Sequence, residues 1–118
     1  MLWFHFPTYF LAGALFANFV PHFVSGVLGR RFPTPFASPP FRGLSSSRVN
    51  VLYGVCNLAL AYTLLWRVGD FEPRNALQAS AFGVGLTLWS LMIARSLARL
   101  QREGGVSSQH PGERRADA

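Results

Sequence analysis

An all-α fold, a bundle of three transmembrane helices, follows from three observations on this sequence. Half of its 118 residues are hydrophobic while only 14% are Asp, Glu, Lys or Arg, against roughly a quarter in soluble domains. The deficit is uneven, because no charged side chain occurs between Met1 and Gly29. Three uncharged stretches are each long enough to cross about 30 Å of hydrocarbon at roughly 1.5 Å per helical residue. A soluble domain this small must keep most of its surface polar, so the composition argues against a soluble globular enzyme and against a disordered chain. The predicted organisation is one membrane domain over residues 1–102, with helices near 8–28, 49–66 and 75–100, followed by a disordered tail over residues 103–118.

The first helix competes with a cleaved signal peptide. A signal peptide requires a positive leading segment, and Met1 to Gly29 contains no Lys or Arg. Trp3, Phe4, Phe6, Tyr9 and Phe10 suit an interfacial aromatic belt on a retained span. The second span, Val49 to Trp66, has eighteen uncharged residues, and Ser46 or Ser47 is placed to cap it. Asn75 followed by Gln78 resembles a capping box for the third, and Gly29, Gly69 and Gly104 stand where helices would stop.

All eleven basic residues are arginine, and the net charge is +6. They sit at the ends of apolar runs, where guanidinium groups meet lipid phosphate, so membrane lipids rather than nucleic acid are the expected partners. Nine arginines flank the first loop and the tail, against two, Arg67 and Arg74, on the second loop. The positive-inside bias then places the N-terminus outside and the C-terminus in the cytoplasm, with Trp66 and Phe71 marking the outer interface. Cys56, alone in an apolar stretch, is expected to be a small packing residue.

The loop between the first two spans runs Phe32-Pro33-Thr34-Pro35-Phe36-Ala37-Ser38-Pro39-Pro40-Phe41. Its four prolines remove backbone donors and predict an extended or polyproline-like segment. Its phenylalanines, Phe32 and Phe36 among them, are expected to dip into the interface or to fold back on the bundle; the alternative is that the loop forms a lid or docking segment over the cytoplasmic mouth.

Within the spans there is no ionisable carboxylate, Lys or Arg, and ion-coupled carriers ordinarily need one. At about 100° per residue, Ala14, Asn18, His22 and Ser25 share one small, polar stripe of the first helix. Phe16, Phe19 and Phe23 form a bulky stripe expected to face lipid or a partner. At about 1.5 Å per residue, His22 lies roughly 10 Å and Asn18 roughly 16 Å from the cytoplasmic end. Asn57 and Thr87 both come to about 12 Å on the same count. Pro21 removes the bond to the Ala17 carbonyl and predicts a kink. A buried polar cluster of Asn18, His22, Asn57 and Thr87 around that kink is therefore expected. The small-residue pairs Gly13/Ala17, Ala79/Gly83 and Ala81/Gly85 suggest close helix contacts.

No catalytic arrangement, metal site or cofactor is predicted. Asp70 and Glu72 fall on the other side of the membrane from His22, and a lone histidine is a poor metal site. His5 lies about 25 Å away along the helix.

The run Asn18-Phe-Val-Pro21-His22-Phe-Val-Ser-Gly26, with Phe32-Pro-Thr-Pro-Phe36-Ala and Gly43-Leu-Ser-Ser, resembles a family of short, uncharacterised bacterial multi-pass membrane proteins. The resemblance covers about residues 18–57 and implies a bacterial inner-membrane placement without implying a mechanism. The functional expectation is a non-catalytic accessory or assembly component, in contact with other membrane proteins or further copies of itself. The alternative is a small-molecule or lipid-binding protein, or an oligomeric carrier, using the layer around His22.

Overall fold

The computed structural model describes residues 5–102. The expected tail, together with Trp3, Phe4 and Gly104, lies outside them. Three helices dominate, and each is long and apolar enough to cross a membrane. They are α1 (His5–Val27), α2 (Ser47–Tyr62), which continues as a π-helical segment (Thr63–Val68), and α3 (Ala76–Arg102). Between α1 and α2 lies a two-residue antiparallel ladder of β1 (Phe32–Pro33) and β2 (Leu44–Ser45).

The ends of the helices follow their local chemistry. Gly29 adopts φ 73°, which lets Arg30 N donate back to the Ser25 carbonyl at 2.8 Å and close α1. The Ser46 hydroxyl accepts from Val49 N at the start of α2. Asn75 Oδ1 accepts from Leu77 N and Gln78 N at the start of α3, the expected cap. The Gln78 side-chain Oε1 accepts from Glu72 N at 2.7 Å, tying the second loop to α3. At the far end of the second span the helix widens, and Gly69 N reaches the Leu64 carbonyl five residues back.

Helix α1 is the centre of the bundle. It packs along both α2 and α3, which scarcely meet each other. Small residues make these contacts close. A Cβ on Gly13 would fall 2.1 Å from the Phe82 carbonyl, and one on Gly85 would fall 2.0 Å from that of Phe10. On the other side, Gly54 lies against the backbone of Phe19 and Phe23, and Gly26 against Ser47 and Val51. Backbones approach this closely where small residues remove the side-chain barrier. Of the expected pairs, Gly13/Ala17 and Ala81/Gly85 reach an interface through Gly13 and Gly85. Gly83 has nothing within 4 Å of its would-be Cβ.

Because α1 is central, its phenylalanine stripe is partly covered by the neighbouring helices. Phe16, Phe19 and Phe23 are half-buried, and the Phe16 ring packs on Phe82 with centroids 6.1 Å apart. The apolar core lies towards the π segment and comprises Tyr9, Ala12, Ala61, Leu65 and Phe71. Two aromatic residues expected at the interface are inside it. Tyr9 is fully buried, its hydroxyl donating to the Gly69 carbonyl, and Phe71 stacks on it at 5.3 Å. Trp66 remains exposed. Cys56 is exposed on the outer face of α2 rather than packed inside, since α2 turns Gly54, Asn57 and Ala61 inward instead.

Candidate functional site

The proline-rich loop is folded, not extended. The Thr34 carbonyl accepts from both Ala37 N and Phe41 N, and the Pro39 carbonyl accepts from Arg42 N and Gly43 N. These turns bring Phe32 and Pro33 opposite Ser45 and Leu44. Pro33 fits because a two-strand ladder leaves positions that need no proline N–H. The Thr34 and Ser45 hydroxyls meet in the interior at 2.5 Å. The loop is thus a compact hairpin laid on one end of the bundle, with Phe32 against His22 and Phe36 against Tyr53. Pro35 is half-buried within it. Phe41 takes a left-handed conformation, φ 64°, at the exposed turn.

Beneath the hairpin lies the polar layer. Asn18 Nδ2 donates to Asn57 Oδ1 at 3.1 Å and to the Tyr53 hydroxyl at 3.3 Å. Asn57 Nδ2 donates in turn to the Tyr53 carbonyl at 2.7 Å. His22 belongs to the same layer but pairs with Asn50, its Nδ1 lying 2.8 Å from Asn50 Oδ1. The chain passes through Pro21 without leaving the helix, so α1 carries both Asn18 and His22 towards α2.

Asn50 organises this end of the molecule, and it is fully buried. Its Nδ2 has three carbonyl acceptors, Phe32 at 3.1 Å, Ser45 at 3.2 Å and Ser46 at 2.9 Å. Reversing the amide would set its oxygen against those three oxygens, so the orientation is decided by the network. Oδ1 must then point at His22 and accept, which puts the hydrogen on His22 Nδ1. A single side chain thereby joins α1, α2 and both strands of the hairpin.

Thr87 does not join the cluster. It is exposed, and its hydroxyl donates to the Gly83 carbonyl one turn back on its own helix at 2.8 Å. Depth alone suggested it, but α3 approaches α1 through Gly85, which turns Thr87 outward. Ser90 is exposed for the same reason. Asn50 was missed because it stands so near the start of α2. Its signal was present in the spacing, since Asn50, Gly54, Asn57 and Ala61 repeat at the helical period on one stripe, and all four are buried.

Of the grooves that flank α1, two bear on the site. The larger, about 680 Å³, lies between the π end of the second span and α3, with walls that include Phe16, Tyr62, Trp66, Phe71 and Phe82. The smaller, about 240 Å³, opens beside the polar layer between α1 and the second half of α3. Its walls include Asn18, His22, Phe32, Phe41, Trp89 and Met92. A neighbouring cleft shares Phe32, Pro33 and Leu97 with it and carries Arg30 and Arg31. Among the described residues no three metal-ligating side chains gather, and every buried side-chain nitrogen or oxygen has a hydrogen-bond partner. Comparison with family models, with curated proteins and with solved structures gives no match for this chain.

Proposed function

We propose that the protein is a non-catalytic accessory or assembly component of the bacterial inner membrane, with its N-terminus outside and its hairpin and C-terminus in the cytoplasm. The observation that carries this reading is the incomplete packing of α3. Of its 27 residues only Gln78 and Gly85 are buried, and it leaves an aromatic-walled groove against the second span. Helices in lipid associate through packing and small-residue contacts rather than through exclusion of water, and a further apolar helix laid in that groove would give α2 and α3 the neighbour they lack. The arginine asymmetry supports the orientation.

Photo-crosslinking in cells tests the reading. A benzoylphenylalanine in place of Tyr62, in the groove, is expected to yield one adduct of defined mass. The same group in place of Leu52, exposed and outside that groove, should yield none. Equal, diffuse labelling at both positions would contradict it. A second reading, binding of a small molecule or lipid, is favoured by the smaller groove that opens beside His22.

A further inference from the structure

The smaller groove has a directional polar wall. Because Asn50 Oδ1 requires a donor, the neutral His22 ring carries its hydrogen on Nδ1 and leaves a lone pair on Nε2. His22 is 6% exposed, and Nε2 makes no hydrogen bond among the described residues. No buried side-chain nitrogen lacks a partner, so Nε2 reaches the accessible surface, and His22 lines the groove. The imidazole is held edge-on between Phe32, at 5.1 Å, and Tyr53, at 4.7 Å, which prevents it from turning away.

We propose that this groove binds a membrane amphiphile of the hydroquinone class, whose ring hydroxyl donates to His22 Nε2. This rests on the second reading above and names its ligand. Three features select the class. No Asp, Glu, Lys or Arg lines the groove, and Arg30 and Arg31 line the separate cleft, so the group beside His22 is neutral. The other walls, Phe32, Phe41, Trp89 and Met92, suit the face of a flat ring. An apolar cavity of about 150 Å³ already accepts benzene, so about 240 Å³ takes one substituted ring. The groove's open side lets an alkyl tail run out into lipid.

The test uses the full chain in phosphatidylcholine nanodiscs under a reducing, oxygen-free atmosphere, with empty nanodiscs subtracted. Equilibrium dialysis compares decyl-benzohydroquinone, its dimethyl ether, which has the ring but no donor, and dodecanol, which has a donor but no ring. One hydrogen bond predicts that the hydroquinone binds roughly two- to tenfold more tightly than the ether. His22→Phe should erase that preference. Trp89→Ala, at a lipid-exposed position outside the polar layer, should weaken both ring compounds and leave the preference intact. Equal binding of hydroquinone and ether overturns the proposal while the ligand reading stands, and so does dodecanol binding as tightly as the hydroquinone. Retention of none of the three overturns both.

Discussion

Replacing Asn50 by leucine keeps the branch point of the side chain, adds volume at a fully buried position, and removes every hydrogen bond the side chain makes. Three of its partners are backbone carbonyls, but they are not equally affected. The Ser46 carbonyl still receives the Asn50 backbone N–H, at 3.1 Å, so its loss is small. The Phe32 and Ser45 carbonyls lose the amide donor, at about 0.5–1.5 kcal/mol each. The His22 N–H loses its acceptor inside the bundle, and an orphaned buried donor costs about 1–3 kcal/mol. Asn50→Leu should therefore destabilise by about 2–6 kcal/mol. Asn50→Asp has the same shape and keeps an acceptor for His22, yet it turns a carboxylate oxygen towards three carbonyl oxygens and should be at least as damaging. Unfolding titrations in mixed micelles measure the total. Because Asn50 holds both strands, trypsin cleavage at Arg42, on the exposed turn, should accelerate before the helices separate. An Asn50→Leu protein within about 0.5 kcal/mol of the parent, with the hairpin equally protected, would refute the reasoning.

Other outcomes follow from the same geometry. Gly85→Val should cost about 1–3 kcal/mol by overpacking against the Phe10 carbonyl, whereas Gly83→Ala, in open space, should be neutral or stabilise by about 0.5–1 kcal/mol; both are read by the same titration. A double-mutant cycle between Asn18→Leu and Asn57→Leu should give a coupling of about 0.6–1.7 kcal/mol. Thr87→Val should lie within about 0.5 kcal/mol of the parent and show no coupling to either. In a Cys56→Ala background, a cysteine in place of Ser38 should react with an impermeant maleimide only from the cytoplasmic side, and one in place of Arg74 only from outside; the reverse pattern would invert the topology.

Much of this architecture is legible in the sequence because it depends on counting. Span lengths, the Ser46 and Asn75 caps and the Gly29 stop are local properties, and they appear within a few residues of their expected places. The pairing of Asn18 with Asn57 was accessible from depth and helical angle together. What escaped was whatever depends on which helix is central. Placing α1 between α2 and α3 buries Tyr9 and half-buries the Phe16 stripe, and it turns Thr87 and Cys56 towards the outside. None of these follows from one helix considered alone. The hairpin was hidden for a different reason. Proline content argues against backbone pairing, but the Thr34 and Pro39 carbonyls close the turns with donors from Ala37, Phe41, Arg42 and Gly43, so few proline positions need an N–H. Asn50 is the meeting point of both effects, since its importance appears only when the folded hairpin and the central α1 are placed together.

The hairpin sets the direction of the Asn50 side chain, and Asn50 in turn sets the hydrogen on His22. Nitrogen-15 NMR of histidine-labelled protein in lipid, with His5 and His110 replaced, tests this most directly. The prediction is a single neutral tautomer with the proton on Nδ1 and a bare Nε2. A ring protonated on Nε2, or an even mixture of the two tautomers, would contradict it.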